Sequence, residues 1–531
     1  MISVYNTITI LILVSWFFLM LFDYAEMCYV WQLKSYRWDR IRDFFSTKQG
    51  KYFFRKMRIF WRCLWLFVLL VVPVEIQIIL LILFIIQELA VYAIRLFKGK
   101  WKRPALSYKV LIIIISTATV EFALLFFLNF KYEFLMIFTI IRFLILSLVI
   151  SLYYLADSLL LLLYRELARR KLEKYEKLTV IGITGSYGKT TVKEFLYQIL
   201  SNEFKVIKTP KNYNTTISIA KFILKNDFSD YDIFIVEIGA YKIYDVKFTT
   251  KMLNPKIGIL TAINEQHLSL FGSIEKIQNA KYDLLRMLPK DGLAVTNIDN
   301  KYCREKLSEI SCEVKTFGII EEYNPDALVK DIKEVDNGLI ISGRVNGVEG
   351  TFFAPVVGKH NASNIVACIL VAMHLGMKKD KIIESIGKLK MPRGTMQIFN
   401  YGNSTVIDDS YNSNPDGFKS ALDAMKVYPS ERKRIVITRG ILELGEKSAE
   451  IHEKIGNEIA FVVDELVLVS KDYEEFLKKG VGKKYNTDVI IKDEENDLMN
   501  YVKNLKNKNA VILVENRIPH KVYQELTGYN N

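Results

Sequence analysis

The stretch that decides the fold of this 531-residue chain is LTVIGITGSYGKTT, residues 178–191. Its first half is rich in apolar and β-branched residues, which predicts a buried strand, and an amphipathic pattern over 190–201 predicts a helix. A phosphate needs inward-turned backbone N–H groups, a helix N-terminus, a lysine for its outer oxygens and a hydroxyl for Mg²⁺. The loop between strand and helix has all of these. The predicted phosphate-binding residues are Gly185, Ser186, Gly188, Lys189, Thr190 and Thr191.

Short β-rich runs alternate with amphipathic stretches throughout the sequence after Leu178. Such alternation predicts doubly wound parallel sheets with helices on their faces. A first series of runs ends before Met391, and a second series fills about 403–531. We therefore expect two α/β domains: a P-loop-type central ATP-binding domain over 178–392 and a Rossmann-like C-terminal domain over 393–531.

The sequence before Leu178 is apolar and basic. Hydrophobic residues make up 51% of the whole chain and its mean hydropathy is +0.15, which excludes an ordinary soluble enzyme throughout. Residues 1–178 hold 24 Lys and Arg against 12 Asp and Glu, whereas the remainder holds 48 against 46. Because the basic excess accompanies the apolar third, it indicates contact with an anionic membrane leaflet and not with nucleic acid.

Five apolar runs predict a membrane domain over 1–177 with about five transmembrane helices. The second run is short and ends at Pro73, so a re-entrant hairpin through Pro73 and Glu75 is an alternative to two full spans. Lys and Arg concentrate in the loops 23–59 and 95–109 and in the segment after 164, which the positive-inside rule assigns to the cytosol. We expect a multi-pass protein of the cytoplasmic membrane, with its N-terminus outside and its α/β domains in the cytosol. The runs cover 7–21 and about 60–74, 76–94, 110–130 and 134–155.

Ionisable residues fall inside the last two of these runs, Glu121 in the fourth and Arg142 in the fifth. In an antiparallel hairpin turning about Lys131, residues whose numbers sum to 263 lie at equal depth, and these two residues meet that condition. An unpaired charge inside a span costs ~2.5–3.5 kcal/mol. We therefore predict that they face each other, either as an ion pair that fixes helix register or in a polar cavity reached by a lipid headgroup.

Six further motifs follow the phosphate-binding loop in order. With these motifs and the short G-x-x-G-K-T-T form of the loop, the chain from about Leu178 onward resembles the Mur ligases, the ATP-dependent amide-forming enzymes of cell-wall peptide synthesis. The last two motifs are most similar to the branch that adds D-Ala-D-Ala to the muramoyl tripeptide. The motifs are VEIGA (236–240), NEQHLSLFGS (264–273), NAKYD (279–283), GKHNASN (358–364), IDDSYNSNPDG (407–417) and GILELGEKSAEIHEKIG (440–456).

The resemblance implies a site for ATP and about two Mg²⁺ ions. Thr190 and Glu237 offer the hard oxygen ligands that Mg²⁺ prefers, and the resemblance assigns His267 and Lys281 to a second ion. In much of the family the matching lysine is carbamylated, which requires a desolvated lysine of lowered pKa. The implied catalytic residues are Lys189, Glu237, His267, Lys281 and Asn214.

The same resemblance implies contacts with the rest of the nucleotide. Asn212 and Asn214 match asparagines that approach the γ-phosphate and the acyl substrate. At the hinge into the last domain, where the family usually has Gly-Arg, this chain has Pro392, Arg393 and Gly394. The remaining implied contacts are Asn297, His360, Asn361 and Asn364 around adenine and ribose, and Arg393, Asp409, Tyr411, Asn412 and Asn414 in the C-terminal domain.

Two departures from the family concern the substrates. VILVENRIPHK (511–521) stands where the D-Ala-D-Ala branch typically has a Lys-Gly-Ser stretch, so the amine substrate can differ. The family's N-terminal domain, which holds UDP, has no recognisable counterpart, and the membrane runs stand in its place. We therefore expect an amino acid or dipeptide as the amine and a membrane-proximal or isoprenoid-linked wall precursor as the carboxylate.

Three functions remain open from the sequence. The first is a membrane-anchored carboxylate–amine ligase of cell-wall precursor synthesis that acts through an acyl phosphate. The second is a poly-γ-glutamate-synthase-like amide ligase, which is weaker because the motifs ELGE and DDSYNSNPD are more similar to the D-Ala-D-Ala-adding branch. The lack of clustered cysteines disfavours a lipid II amidating ligase and a zinc ribbon. The third is a nucleotide-binding membrane scaffold without ligase activity, which loss of Lys189, Glu237, His267 or Lys281 would favour; all four are present.

Overall fold

The structure is a computed structural model of the chain. It describes residues 2–531 except 35, 37, 47–49, 52, 54–57, 100, 211–212, 266–267, 336–337, 412, 443, 445–446, 483–486 and 530–531. Two compact units are present, Met1–Leu162 and Leu163–Asn531. The regular elements described in the first unit are helical, and the second unit contains two sheets with helices. An N-terminal helical region followed by α/β domains is the predicted fold class, which is confirmed at this level.

The predicted apolar runs all lie in helices. By length and composition α1, α4, α5 and α6 can each cross a membrane, whereas α3 is apolar but has only 13 residues. At 1.5 Å per residue α3 spans about 20 Å, less than the roughly 30 Å hydrocarbon core. Pro73 separates α3 from α4. The helices are α1 (Ile2–Leu33), α2 (Trp38–Ser46), α3 (Ile59–Val71), α4 (Val74–Phe97), α5 (Tyr108–Phe127) and α6 (Tyr132–Leu172).

Five charged residues meet inside the first unit and form what we call the ionic cluster: Asp23, Arg62, Glu88, Glu121 and Arg142. Arg62 Nη2 donates to Asp23 Oδ1 at 2.9 Å and to Glu88 Oε2 at 2.7 Å. Arg142 Nη1 donates to Asp23 Oδ2 at 2.7 Å, and its Nε donates to Glu121 Oε1 at 3.1 Å. The predicted pairing of Glu121 with Arg142 is therefore confirmed. Each of α1, α3, α4, α5 and α6 contributes one residue, so the cluster joins the whole helical bundle.

Further polar groups surround the ionic cluster. Tyr92 donates to Asp23 Oδ1 at 2.5 Å, and Tyr24 donates to Glu121. At the periphery Arg58 pairs with Glu88 at 2.8 Å, and Arg95 pairs with Glu26 at 3.3 Å. Among the described residues of the cluster and its periphery, four carboxylates thus face four guanidinium groups. This balance of charge favours ion pairs that fix the register of the helices over a cavity that binds a lipid headgroup, because the arginines already have carboxylate partners.

Helix α6 has 41 residues and extends beyond the predicted run to Leu172. Its last turns belong to the second unit, where Lys171 Nζ donates to the carbonyls of Leu224 and Asn226 at 3.0 and 2.6 Å. The first compact unit therefore ends at Leu162, because the end of the helix packs on the α/β domain.

The central domain contains a nine-stranded sheet in the order β2-β3-β1-β4-β5-β6-β7-β8-β9. Strands β1 to β5, which were predicted, run parallel with β6 and the start of β7, which were not, and β7, β8 and β9 form an antiparallel extension that the sequence analysis did not predict. The strands are β1 (Thr179–Thr184), β2 (Val206–Lys208), β3 (Ile233–Glu237), β4 (Ile257–Leu260), β5 (Leu293–Asn297), β6 (Glu313–Gly318), β7 (Ala327–Val335), β8 (Gly338–Val345) and β9 (Val348–Ala354). The helices are α7 (Lys189–Leu200), α8 (Thr216–Lys225), α9 (Asp245–Leu253), α10 (Leu268–Phe271), α11 (Ile274–Arg286), α12 (Lys301–Arg304), α13 (His360–His374) and α14 (Lys379–Ile386).

The C-terminal domain contains a six-stranded sheet in the order β10-β11-β15-β12-β13-β14. Only β10 is antiparallel, and the five parallel strands are the five runs predicted from the sequence. The strands are β10 (Gln397–Tyr401), β11 (Ser404–Asp409), β12 (Lys433–Thr438), β13 (Glu465–Leu468), β14 (Asp488–Ile491) and β15 (Ala510–Glu515). The helices are α15 (Pro415–Met425), α16 (Ser448–Ala460), α17 (Glu474–Val481), α18 (Glu495–Leu505) and α19 (His520–Thr527).

Candidate active site

A cavity of about 860 Å³ lies at the carboxyl ends of parallel strands from both sheets of the second unit. Glu237 ends β3 and Asn297 ends β5, while Asp409 ends β11. Ligands of open α/β sheets bind at this edge. The predicted site residues that line the cavity are Ser186, Gly188, Lys189, Thr190, Thr191, Asn214, Glu237, Lys281, Asn297, His360, Asn364, Asp409, Tyr411 and Asn414.

The loop between β1 and α7 follows the wall of the cavity. Gly185 has φ +153°, and a Cβ there would lie 2.0 Å from Thr261 Oγ1. Gly188 has φ +77°, and a Cβ there would lie 2.9 Å from Asn364 Oδ1. Both positions therefore require glycine. Since Gly188 is also the N-cap of α7, no side chain caps the first turn, and its N–H groups are available to an anion.

Lys189 is the first residue of α7. Its Nζ donates to the Gly185 carbonyl at 2.8 Å and to the Ser186 carbonyl at 3.1 Å. Burial lowers the pKa of Lys189, and the nearby Glu237 carboxylate partly opposes that shift. The lysine therefore places its amine beside the loop.

Glu237 accepts hydrogen bonds on both of its oxygens. Thr190 Oγ1 and Lys193 Nζ donate to Oε2 at 2.9 and 3.1 Å, and Asn214 Nδ2 donates to Oε1 at 3.2 Å. Thr190 and Lys193 are three residues apart on α7 and so share the face that meets β3. A carboxylate and a threonine hydroxyl this close together are hard oxygen donors, and they fit Mg²⁺.

Lys281 on α11 is buried behind the loop, with 2% of its surface exposed. Its Nζ donates to the Gly185 carbonyl at 2.9 Å. Burial holds the pKa of Lys281 well below its usual value, and the positive charge of Lys189 lowers it further. The neutral amine is the form that reacts with CO₂.

The other predicted nucleotide contacts differ in position. Asn297, His360 and Asn364 line the cavity, and burial lowers the pKa of His360 to about 4, so its imidazole is neutral at pH 7. Asn361 is buried behind them, where its Nδ2 donates to the Val357 carbonyl at 2.6 Å and its Oδ1 accepts from Asn364 at 2.9 Å. Asn361 therefore orients Asn364 in this structure.

Residues 409–414 bring the C-terminal domain to the cavity. Asn414 Oδ1 caps α15 by accepting from the Gly417 N–H at 3.1 Å. Burial raises the pKa of Asp409 to about 7, and it also raises the pKa of the adjacent Glu515. Arg393 does not line the cavity; its guanidinium lies 4.1 Å above the Tyr529 ring. The predicted site residues Asn212, His267 and Asn412 lie outside the described residues.

Several residues in or beside the cavity were missed by the sequence analysis. Lys193 is fully buried against Glu237, and the only signal for it was its spacing of three residues after Thr190. Asp416 accepts from Asn264 Nδ2 at 3.0 Å and so links the two α/β domains, which no local pattern indicates. The cavity also contains Tyr241, Arg439 and Arg517.

Within the described residues, no group of three or more His, Cys, Asp or Glu side chains forms a metal cluster. The oxygen donors that fit Mg²⁺ are those of Thr190 and Glu237, and phosphate oxygens commonly complete such a site.

Two family models match this part of the chain. Residues 183–372 match the Mur ligase middle domain, and residues 395–515 match the Mur ligase, glutamate ligase domain. Together they cover more than half of the sequence. The chain belongs to the Mur ligase family. The resemblance seen in the motifs is thereby confirmed, and as a Mur ligase the protein is an ATP-dependent amide ligase.

Relatives of this Mur ligase include two enzymes named UDP-N-acetylmuramoyl-tripeptide–D-alanyl-D-alanine ligase. The Bacillus subtilis enzyme is 27% identical over 63% of this chain and 72% of its own length. The Synechocystis enzyme is 29% identical over 55% of this chain, which spans 62% of that relative. The crystal structure of MurF from Thermotoga maritima in complex with ADP has a TM-score of 0.61 and 28% identity, covering 69% of this chain and 82% of that one. The similarity is thus to MurF-type enzymes.

Proposed function

We propose that this protein is a membrane-anchored, MurF-like ligase that joins a carboxylate of a cell-wall precursor to an amine. The carboxylate attacks the γ-phosphorus of ATP, which gives an acyl phosphate and ADP. The amine then adds to the acyl carbon, and the tetrahedral intermediate releases phosphate and a proton to leave the amide. Such chemistry depends on positioning and charge neutralisation more than on a protein nucleophile.

The observation that carries this proposal is the composition of the cavity described above. Its central-domain wall presents Lys189, Lys281 and the Thr190–Glu237 pair, and its C-terminal wall presents Asp409, Tyr411, Ser413, Asn414 and Arg439. The proposed phosphate-binding loop and residues of the C-terminal domain therefore line the same cavity, which has a volume of about 860 Å³. An acyl phosphate formed there is within reach of groups from both domains.

Each central-domain residue has a separate role in the proposal. The loop at 185–191 binds phosphates in the manner of a P-loop, and Lys189 turns from the loop carbonyls to the outer phosphate oxygens. Thr190 and Glu237 would hold Mg²⁺, which neutralises charge on the β- and γ-phosphates. Asn214 fixes the Glu237 carboxylate from the opposite side.

We assign Lys281 and His267 to a second Mg²⁺, with Lys281 carbamylated. The support is the buried amine of Lys281, which lies beside Gly185 and has a lowered pKa. Carbamylation forms a bond between Nζ and the carbon of CO₂ with loss of one proton, so a cation becomes an anion that suits a metal.

The carboxylate substrate in this proposal is a membrane-proximal or isoprenoid-linked wall precursor. The support is the helical first unit, since four of its helices are long and apolar enough to cross a membrane. The relatives are named for a UDP-linked tripeptide and D-alanyl-D-alanine, and the family models match this chain only from residue 183. The amine is an amino acid or a dipeptide such as D-alanyl-D-alanine.

The experiment is phosphate release by the full-length protein in lipid nanodiscs with ATP and Mg²⁺. A ligase releases phosphate only when carboxylate and amine are both present. Matched muramoyl tripeptides linked to UDP or to an isoprenoid diphosphate are compared with D-alanyl-D-alanine as the amine. Faster release with the isoprenoid form supports the proposal, and equal or faster release with the UDP form contradicts the lipid-linked substrate. Nucleotide binding without release under any of these conditions would favour a scaffold.

A further inference from the structure

Two acidic side chains lie next to each other at the C-terminal wall of the candidate active site. Asp409 ends β11 and Glu515 ends β15, and the two residues are direct partners in the parallel pairing of these strands. Side chains of paired residues point to the same face of a sheet, and neighbouring strands are ~4.8 Å apart. Asp409 lines the cavity, whereas Glu515 is fully buried. The pair therefore connects the cavity to the interior of the C-terminal domain.

The two oxygens of the Glu515 carboxyl group have different surroundings. Ser413 Oγ donates to Oε1 at 2.6 Å. Oε2 is buried and, among the described residues, receives no hydrogen bond from an N–H or hydroxyl group. A side-chain hydrogen bond joins Glu515 to Asp409. Since an ionised carboxylate is only an acceptor, this bond requires a proton on one of the two carboxyl groups.

The charged groups near the pair favour retention of that proton. In the part of the chain that the structure describes, no Lys, Arg or His side chain forms an ion pair with Asp409 or Glu515. Asp408, the preceding residue of β11, carries a negative charge that raises the pKa of both carboxyl groups. On the other side of Glu515, β12 contributes the uncharged Thr438. The remaining titratable or charged groups nearby are Tyr523, which donates to Asp408 Oδ2 at 2.8 Å, and Arg439 and Arg517, which line the cavity.

Glu515 is the member of the pair that holds the proton. The hydrogen bond between the side chains raises the pKa of Glu515 and lowers that of Asp409, so Glu515 is the donor. The Met396 N–H also donates to Asp409 and favours its ionised form. Burial nevertheless raises the pKa of Asp409 to about 7, so Asp409 is ionised above that pH. It is then an acceptor at the cavity wall and suits a ligand that brings a hydrogen-bond donor.

We propose that Glu515 carries a proton and donates it in a hydrogen bond to Asp409, which positions Asp409 as the ionised acceptor for the ribose hydroxyl groups of the bound nucleotide. This inference rests on the nucleotide site of the proposed function. An acidic side chain commonly accepts hydrogen bonds from ribose in open α/β sheets. Glu515 lies in the stretch 511–521 that departs from the family, so the resemblance assigns it no role. It is a positioning residue, because it acts through Asp409.

The first test compares ADP binding by full-length variants in detergent. Isothermal titration calorimetry with Mg²⁺ at pH 8 measures the affinities. Glu515→Leu removes the donor and should weaken ADP binding about tenfold, as expected for loss of a hydrogen bond to a charged group. Glu515→Gln keeps an N–H donor and should retain the affinity of the parent protein. Glu465→Leu is the matched control, because Glu465 is a buried carboxylate that begins β13 and so lies at the opposite edge of the sheet.

A pH profile separates positioning from a purely structural role. The ADP affinity of the parent protein should fall as the pH drops through about 7, because Asp409 then gains a proton. In Glu515→Leu the fall should begin at a higher pH, because Asp409 has lost a hydrogen bond that lowers its pKa. Glu515→Gln should follow the parent profile. The titration of the nucleotide phosphate is common to all variants and cancels in the comparison.

A nucleotide without ribose hydroxyl groups tests what Asp409 contacts. The parent protein should bind 2′,3′-dideoxy-ADP about tenfold more weakly than ADP. Glu515→Leu should lose less affinity on the same change, because two changes to one contact are not additive. This result together with retained affinity in Glu515→Gln supports the inference.

Other outcomes overturn the inference. Equal losses with dideoxy-ADP in the parent protein and Glu515→Leu would do so, as would a Glu515→Gln variant as weak as Glu515→Leu, and both leave the nucleotide site intact. A raised KM for the amine with unchanged ADP affinity would assign Asp409 to the amine substrate instead. No ADP binding by the parent protein would overturn the proposed nucleotide site as well. Glu515→Met replaces Glu515→Leu if the latter does not fold.

Discussion

Lys189 and Glu237 have opposite charges, and both lie where the transferred phosphoryl group is expected to bind. Lys189→Ala and Glu237→Ala should each reduce ligation at least about 10²-fold, because each removes charge aimed at the transferring group. Lys189→Ala should leave folding unaffected, since its side chain lines a cavity, whereas Glu237→Ala also leaves the buried Lys193 without its carboxylate and should lower the melting temperature. The measurement is phosphate release alongside thermal unfolding, with the exposed Lys454→Ala as the control. Normal turnover of Lys189→Ala would refute the phosphate site.

Lys281 is the residue whose role depends most on its protonation. Its lowered pKa extends the range of pH in which the amine is neutral, and carbamylation, with the activity that depends on it, should fall as the pH drops and the amine gains a proton. Lys281→Ala should be inactive and partly rescued by short carboxylates that fill the vacated volume. Carbon-13 NMR with labelled CO₂ should show a carbamate signal in the parent protein and none in Lys281→Ala. A fully active Lys281→Ala protein would exclude the role.

Lys193 is a fully buried cation whose Nζ lies 3.1 Å from the proposed magnesium ligand Glu237. Lys193→Met removes a positive charge that repels a metal ion at Glu237, so free Mn²⁺ should bind about tenfold more tightly in the absence of nucleotide. Lys193→Arg keeps the charge and is the control. Electron paramagnetic resonance titration of Mn²⁺ measures the affinities. Equal affinity of Lys193→Met and the parent protein would show that Lys193 does not act on the metal.

The site was predictable from sequence where the chemistry lies in one short segment. The loop 185–191 has its glycines, lysine and threonines together, so a single strand–loop–helix pattern identified all of them. Lys193 was not predictable, because a lysine on a helix is ordinarily solvated and only the approach of β3 buries this one. Asp416 was missed for a similar reason, since its partner Asn264 is 152 residues away.

At the scale of elements, the parallel strands were predicted and the antiparallel ones were not. The runs at 179–184 and 510–515 are continuous and apolar, as expected for strands buried on both faces. Strands β8 and β9 carry half-buried and exposed residues, so their pattern does not separate them from loops. The prediction that Glu121 and Arg142 lie at equal depth in the α5–α6 hairpin was confirmed, because the rise per residue is the same in both helices.

The ionic cluster allows a prediction that separates its two possible roles. Glu121→Gln removes one of the two carboxylates that pair with Arg142, while Asp23 remains, so the cost should lie below the ~3–5 kcal/mol of a buried charge left wholly unpaired. We expect a lower melting temperature and a lower yield, with unchanged turnover per folded molecule. Asp157→Asn breaks an exposed pair and is the control. Altered turnover with unchanged stability would instead indicate a headgroup site.

At the scale of the whole molecule, contacts between the two α/β domains link the two walls of the cavity. Asn264 meets Asp416 at 3.0 Å, and Glu265 meets Lys447 at 3.2 Å. Asp416→Ala should lower kcat about fivefold through loss of one hydrogen bond of about 1 kcal/mol, while Lys447→Ala, an exposed pair, should have almost no effect. Steady-state kinetics with both substrates tests this. An equal loss in both variants would contradict it.

On the proposed membrane anchorage, the charge balance of the ionic cluster has a consequence for the order in which the chain would enter the membrane during synthesis. Helix α1 carries Asp23, whose first partner, Arg62, is made 39 residues later and whose second, Arg142, is made 119 residues later. Helix α5 brings Glu121 before Arg142 exists. An anchored chain would therefore present its early helices to the translocon with unmatched charge. Stable integration would wait for α6, and nascent chains that stop before Arg142 should be substrates for membrane quality-control proteases.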